Sequence, residues 1–431
     1  MKPRNVLVFP AGTEIGLEIF SALQHCKEVT IFGAGQDVSN HGRFAFPEYH
    51  ILPSIHDDNW LELLISLCEK LSIDYIFPAY DDIIVALSRV RDLIPATVIS
   101  PSQDICEITR SKSATYTRLC QLIRVPKVYD QNERDLEFPL FVKPDKGQGS
   151  VDTRIVSNYS ELHSAIAQIP SAIVCEYLPG DEYTVDCFSD RDRGLLFAGA
   201  RVRNRLRNGI AVNTVAIELS EIYSIANAIS GELELRGAWF FQLKRAHDNE
   251  LTLLEIAPRI AGSMAVNRVA GINFPLLSIF EHERLHIHIS RNLTAVEMDR
   301  ALCNRYSHDI QYGVLYVDLD DTLILNGLVN ISIVKLIFQC INKNIPVKLL
   351  TRHKGDLANT LSKHRLNGLF DKIIHISASD KKSKYIVEND AILVDDSFSE
   401  RMEVNNQCNI FTFDCSMIEI LTQQSEFLNR S

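Results

Sequence analysis

No apolar run in this 431-residue chain approaches the ~18 to 20 residues needed to cross a bilayer, and the most apolar helix candidate, Ser332 to Ile341, is interrupted by Lys335. A membrane-spanning protein is therefore not expected. An excess of basic charge is also missing: 44 Lys+Arg face 55 Asp+Glu, a net charge of −11, which disfavours broad binding to nucleic acid or to anionic membranes. The ten cysteines form no CxxC pair and are scattered through apolar segments, as buried thiols are in a reducing compartment, so metal-binding cysteines are not expected. A signal-peptide core is lacking too, because the run Val6 to Phe9 stops at Pro10 and reads instead as a first strand. A cytoplasmic protein is expected.

With 46% apolar and 23% charged residues, the chain is folded, and its length exceeds the ~250 to 300 residues at which one core stops growing. Two or three domains follow. Through the first hundred residues, short apolar runs alternate with amphipathic ones: Val6–Phe9, Ile15–Leu23, Val29–Phe32, Trp60–Leu71, Tyr75–Phe77, Ile83–Val90 and Val98–Ile99. Strands alternating with helices predict a parallel sheet. The first turn, Pro10 to Gly16, lacks the middle glycine of a dinucleotide fingerprint, and its glycines are read as serving a tight turn. From Arg110 to about Ile289 the texture is β-rich with glycine loops. A helical stretch is expected around Ala295 to Tyr306, with a boundary near residues 290 to 312, and from Tyr312 strands and helices alternate again.

Phe138-Pro-Leu-Phe-Val-Lys143-Pro-Asp-Lys146-Gly147-Gln-Gly149-Ser150 is a strand carrying a lysine, followed by a glycine turn. Bare backbone N–H groups beside a fixed ammonium suit a nucleoside triphosphate. Downstream, Val174-Cys-Glu176-Tyr177-Leu178-Pro-Gly180-Asp-Glu182 reads as strand, hinge and strand, where an adenine can pair with hinge backbone and a carboxylate can take the ribose hydroxyls. Two further strands, with Gln242 and Lys244 on one and Glu255, Ala257 and Arg259 at the end of the other, bring side-chain oxygens together in a set suited to Mg²⁺.

This ordered series, with Lys112 before it and Gly262-Ser263 and Ala270-Gly271-Ile-Asn273 after it, resembles the ATP-grasp superfamily, in the style of its carbamoyl-phosphate-synthase-like and biotin-carboxylase-like ligases. The resemblance implies a pre-ATP-grasp Rossmann-like α/β domain over 1–105 and an ATP-grasp domain over 106–300. It places Lys112 and Lys143 at the ATP phosphates, Lys146 to Ser150 in a mobile loop with Gly147 and Gly149, Glu176, Tyr177 and Leu178 at the adenine, and Glu182 at the ribose. Gln242 and Glu255 would hold Mg²⁺, and Arg259 would stabilise the transferred phosphoryl group or an acyl phosphate. The chain departs from the family's Glu-Ile-Asn-Pro-Arg at Ala257, which removes an oxygen that normally shares a metal; a water substitutes, or the site is weakened or noncatalytic. The alternating arginines Arg201, Arg203, Arg205 and Arg207 are expected on one strand face, with at least one in the cleft. His286 and His288 are read as part of a plain exposed strand.

Farther on, the strand Tyr312 to Val317 runs into Asp318-Leu-Asp320-Asp321-Thr322, the next strand ends in Thr351, a cluster carries Lys381, Lys382 and Lys384, and the strand Ile392 to Val394 ends in Asp395-Asp396. Carboxylates at the carboxyl ends of parallel strands sit where open α/β sheets bind ligands. These elements resemble the haloacid dehalogenase superfamily over 312–431. The likeness implies Asp318 as nucleophile, Asp320 as acid/base, Thr351 and Lys382 (Lys384 in reserve) on the phosphoryl group, and Asp318, Asp320, Asp395 and Asp396 around Mg²⁺. Only 28 residues separate Thr322 from Thr351 and 30 separate Thr351 from Lys382, too few for a large cap, so a capless Rossmannoid domain is expected. The function implied is a bifunctional enzyme: an ATP-dependent carboxylate ligase joined to a Mg²⁺-dependent phosphatase, the alternative being an ATP-sensing module that regulates the phosphatase. Its partners would be a small carboxylate, a nucleophile and a phosphorylated substrate, with no nucleic acid or membrane, and a homodimer left open.

Overall fold

The wholly buried run Val6-Leu7-Val8 lies at the centre of a parallel sheet, where a strand covered on both faces needs apolar residues without alternation. In the computed structural model residues 3–422 are described, apart from positions 132, 134, 148, 150, 208, 293, 294 and 307. They fall into two compact units, Met1–Cys303 and Asn304–Ser431. Among the described residues no helix is long and apolar enough to cross a membrane.

The first unit opens with β1 (Arg4–Phe9), β2 (Val29–Gly35), β3 (Tyr49–Ile51), β4 (Tyr75–Pro78) and β5 (Thr97–Val98), in the spatial order β3-β2-β1-β4-β5, all parallel. The first turn serves close packing, as read: a Cβ on Gly16 would meet the Ala11 carbonyl oxygen at 2.7 Å. Thr13 Oγ1 accepts from Gly16 N at 3.0 Å and caps the helix Glu14–Leu23.

Next come β6 (Val128–Tyr129), β7 (Leu140–Pro144), β8 (Arg154–Val156) and β9 (Ala172–Glu176), an antiparallel sheet in the order β6-β9-β7-β8. A larger antiparallel sheet follows, made of β10 (Glu182–Asp190), β11 (Gly194–Arg207), β12 (Ile210–Ile217), β13 (Gly237–Arg245), β14 (Leu251–Ala257) and β15 (Glu297–Asp299), in the order β14-β13-β10-β11-β12-β15. Its inner face packs Val185, Trp239, Phe241 and Leu253 against the helix Ile222–Glu232, and Trp239 Nε1 finds Ser189 Oγ at 2.9 Å.

Two expectations fail here. Residues 295–306 are not helical: Glu297–Asp299 pairs with β12, because an open sheet edge offered hydrogen bonds that outweighed local helix preference. His286 and His288 are exposed on unpaired chain, not on a strand, although Ile287 between them is buried.

The second unit is built on β16 (Val314–Val317), followed by the short hairpin strands β17 (Ile324–Leu325) and β18 (Leu328–Val329), then β19 (Val347–Thr351), β20 (Lys372–His375), β21 (Ala391–Val394) and β22 (Phe411–Phe413). The parallel order is β20-β19-β16-β21-β22, with β16 central. Helix Ile331–Asn342 covers one face through Ile333, Leu336, Ile337 and Cys340.

Candidate functional site

In the first unit a cavity of about 450 Å³ is lined by residues of both antiparallel sheets and by the segments that follow β1 and β4 of the parallel one. Lys143 enters it from β7 with its side chain buried, 5% exposed, and donates from Nζ to Tyr116 Oη at 2.8 Å. Burial pulls its pKa below the ordinary lysine value, and Lys112 nearby adds to the effect against the opposing field of Cys175 and the carboxylates. Tyr116 itself donates to the Leu254 carbonyl at 2.6 Å, and burial pushes its phenol well above the usual value.

Lys112 is placed by the residue that follows the Lys143-Pro144 pair. Asp145 accepts from Ser111 Oγ and from Ser113 N, both at 2.7 Å, at the start of the helix Lys112–Leu119, while its carbonyl takes Lys112 N at 3.1 Å. Lys112 Nζ then reaches the Gly147 carbonyl at 3.1 Å. Gly149 lies against Gly209 in the β11–β12 turn: Gly209 has φ +73°, and a Cβ there would sit 2.0 Å from the Gly149 carbonyl carbon. Ser150 lies outside the described residues.

Glu176, Tyr177, Leu178 and Glu182 line the cavity, as do Gln242, Glu255 and Arg259. Gln242 and Glu255 are register partners on β13 and β14. Glu182, Gln242 and Arg259 are already engaged. Arg203 forms an ion pair with Glu182 and donates to Gln242 Oε1 at 3.1 Å and to the Gly209 carbonyl at 2.5 Å. The amide oxygen assigned to a metal is thus given to a guanidinium. Arg259 is held by Asp81, at the start of helix Asp81–Arg89, with Nε and Nη2 at 2.5 and 3.0 Å. Burial works against both charges, yet their attraction overcomes it, leaving Asp81 below and Arg259 above their ordinary values. Ala257 is buried and offers no side-chain oxygen.

The four arginines do not share a face. Arg201, which is buried, and Arg203 both line the cavity, but register shifts on either side of Arg205 break the alternation of β11, so Arg205 pairs with Asp299 on the outside and Arg207 is exposed. Arg201 binds Asp186 through Nε at 2.8 Å and Nη2 at 3.1 Å, Asn267 supports the same carboxylate at 2.8 Å, and Arg201 Nη1 is buried with no hydrogen-bond partner among the described residues. Asp81, Tyr116, Asp186 and Asn267 were not anticipated. Asp81 was readable only as the first residue of a helix after a strand, and the others carry no local signal.

In the second unit Asp318 follows β16 and Asp395 follows β21, the neighbouring strand. Lys382 lies between them, 3% exposed, with Nζ at 2.7 Å from Asp318 Oδ1 and 2.6 Å from Asp395 Oδ2. Burial disfavours its charge, but the two carboxylates prevail and raise its pKa. Asp318 is pushed up to about 6 by burial, against the pull of Lys382 and with a further push from Asp395. Lys384 is exposed. Carboxylate oxygens of Asp318, Asp395 and Asp396 lie within 4.8 Å of one another, a hard-oxygen set that fits Mg²⁺. Asp320 is not in that group. Half-exposed, it is bound instead by His353 Nδ1 at 2.9 and 3.0 Å, and His353 Nε2 contacts Thr360 Oγ1 at 3.0 Å. Thr351 is buried at the end of β19. Thr322 and Arg401 complete the frame: Thr322 Oγ1 accepts from Asp396 N at 2.9 Å, and Arg401 binds the carbonyls of Asp395 and Asp396, each at 2.7 Å.

Residues 168–300 match the family described as ATP-grasp in the biosynthetic pathway with Ter operon. No curated protein matches by sequence. Among solved structures, N5-carboxyaminoimidazole synthetase from Staphylococcus aureus, complexed with ADP, is similar with a TM-score of 0.59 at 15% identity, over 70% of this chain and 82% of that one. Biotin carboxylase from Campylobacter jejuni has a TM-score of 0.56 at 15% identity over 66% and 72%, and L-amino acid ligase from Bacillus licheniformis 0.54 at 17% over 65% and 74%. At these identities the likeness is one of fold, and together with the family match it gives the first unit an ATP-grasp fold.

Proposed function

We propose that the first unit is an ATP-dependent ligase acting on a small carboxylate, and that the second hydrolyses a phosphomonoester. The observation that carries the first reading is the convergence of Lys112, Lys143, the Gly147 turn, Glu182, Glu255 and Arg259 on one cavity. In this reading the substrate carboxylate attacks the γ-phosphorus of ATP, ADP leaves, and an amine or other nucleophile displaces phosphate from the acyl phosphate. Lys112 and Lys143 hold the phosphates, residues 176–178 and Glu182 take the nucleoside, and Arg259, kept charged by Asp81, faces the transferred group. Glu255 and Gln242 would hold Mg²⁺, with Gln242 first released by Arg203. The metal supplies charge neutralisation at the phosphates. The ADP and ATP complexes of the structural neighbours, and the biosynthetic family description, favour this reading.

The phosphatase reading rests on the Asp318–Lys382–Asp395 arrangement. Asp318 attacks phosphorus, the alcohol leaves with a proton from Asp320, and water then cleaves the aspartyl-phosphate as Asp320 takes a proton back. Asp318, Asp395 and Asp396 would hold Mg²⁺, which supplies charge for the phosphoryl oxygens. A screen of ADP release over carboxylates and amines, run beside phosphate release from p-nitrophenyl phosphate, tests both. Absence of carboxylate-dependent ADP release across the screen refutes the ligase, and absence of phosphate release in Mg²⁺ refutes the phosphatase.

A further inference from the structure

A second cavity, of about 270 Å³, lies behind the segment Pro258–Ile260, and Arg259 stands in the wall of both cavities. One side comes from the end of β4 and the turn after β5, the other from the start of β13. Its polar lining includes Arg91, Arg236, His282, Ser102 and Glu234.

The charge is unbalanced. Arg91 is fixed by the carbonyls of Pro101 and Ser100 at 3.0 and 3.1 Å, which position the guanidinium without neutralising it. Among the described residues neither Arg91 nor Arg236 forms a salt bridge, and Glu234 is the one carboxylate in the lining. Arg259 is already matched by Asp81. His282 reports the same field. Burial first, then Arg191, Arg91 and Arg236 against the pull of Glu281, hold its pKa below the ordinary value. The helix Gln103–Arg110 begins here, at Ser102, whose side chain makes no capping bond, so its first N–H groups add the positive end of the helix dipole. Phe77, Ile105 and Ile260 give the remaining wall an apolar surface suited to a carbon skeleton.

We propose that this second cavity binds a small organic phosphate, and that its occupancy acts on the first cavity through the Pro258–Ile260 segment and the Arg259–Asp81 pair. Pro78 and Ile260 line the second cavity while Asp81 and Arg259 line the first, so a ligand held by the former touches the elements that position the latter. The binding claim stands independently of the ligase reading, whereas the coupling rests on it. By linkage, nucleotide and organic phosphate then change each other's affinity by the same factor.

The test is calorimetry of the full chain with glycerol 3-phosphate and with inorganic phosphate, in EDTA so that no divalent cation supports hydrolysis. Four variants are compared with the unaltered protein: Arg236→Glu, Arg236→Gln, Lys143→Ala, and Lys70→Glu as a remote charge control on an exposed helix face. Arg236 is itself exposed, so its replacement leaves the core intact. Glycerol 3-phosphate should bind at least tenfold more weakly to Arg236→Glu and several-fold more weakly to Arg236→Gln, with Lys143→Ala and Lys70→Glu unchanged. Equal binding by Arg236→Glu and the unaltered protein, loss confined to Lys143→Ala, uniform weakening in every variant, or no binding at all would each overturn the site. A non-hydrolysable ATP analogue titrated with and without glycerol 3-phosphate reads the coupling. An affinity that does not move removes the coupling alone, while failure of the analogue to bind strikes the ligase reading.

Discussion

Replacing Lys143 by methionine should stabilise the ligand-free protein while weakening its hold on ATP, a pair of opposite signs that few surface lysines would give. Lys143 is nearly buried, and among the described residues no carboxylate forms a salt bridge with it; its Nζ has Tyr116 Oη at 2.8 Å and the rings of Tyr116 and Phe141 at 5.3 and 5.9 Å. Methionine keeps the stem against those rings and removes the ammonium, and exchanging a buried charge for an apolar group of similar shape commonly gains about 1 to 2 kcal/mol. Tyr116 still donates to the Leu254 carbonyl, so no buried donor is orphaned. For a unit of this size that gain is a rise in Tm of roughly 2 to 4 °C. The sign with pH follows from the depressed folded pKa: the charged form costs stability below that pKa, and the cost fades as pH rises through it toward the unfolded value near about 10.4. The gap in Tm between variant and unaltered protein should therefore narrow as pH rises. In the nucleotide complex the same ammonium would meet phosphate, a charge-assisted bond worth about 1.5 to 3 kcal/mol, so ATP affinity should fall by roughly 10- to 150-fold. Scanning calorimetry between pH 6 and 10 and isothermal titration with ATP measure the two effects. A destabilised variant, or one that binds ATP as tightly as before, would refute the reasoning.

Asp318→Asn should abolish phosphate release from p-nitrophenyl phosphate and leave ATP binding intact, because an amide cannot attack phosphorus; Glu255→Ala should do the reverse, and a changed phosphatase rate in that variant would instead favour an ATP-sensing role. His353→Ala should lower kcat for the same phosphomonoester about tenfold, with KM little changed, since it releases Asp320 from its orienting bond rather than a substrate contact; an unaltered kcat would show that Asp320 needs no such support. Gly209→Ala should cost roughly 1 to 3 kcal/mol in urea melts, as its φ of +73° and the 2.0 Å approach to Gly149 both penalise a Cβ, and an unchanged midpoint would mean that the glycine turn is free to move aside. Ala257→Asn should tighten nucleotide-dependent Mg²⁺ binding by restoring a hard oxygen, and titrations that superimpose would mean another oxygen already fills the place.

Much of this architecture was legible where the local pattern and the tertiary environment agree. The doubly buried β1 and β16 read as apolar runs, and the Gln242–Glu255 pairing follows once β13 and β14 are recognised as neighbouring strands. The short β3 was missed because Tyr49–Ile51 has too few residues to declare a period. The stretch 295–306 misled because its polar residues suit an exposed helix as well as an edge strand, and only the free edge of β12 decides between them. In the sites, residues set by strand ends were readable, including Asp318, Thr351 and Asp395. Their partners were not: the His353–Asp320 and Arg259–Asp81 contacts join residues 33 and 178 positions apart, and nothing in either local sequence specifies the other.

Those partners share a physical logic. Arg259 is backed by Asp81, Arg201 by Asp186 with Asn267 behind it, and Lys382 by Asp318 and Asp395. A buried pair of this kind adds little net stability, because desolvation of both charges consumes most of the attraction. What it does is keep a cation ionised and oriented in a place from which water is largely excluded, where its field on an incoming anion is least screened. Lys143 is the exception, with a hydroxyl and two rings in place of a carboxylate. Its charge is the least compensated of the group before a ligand arrives, and an incoming phosphate has most to offer there. The cost of holding that ammonium in the free protein and the gain that the proposed phosphate contact would bring are thus two sides of the same missing counter-ion.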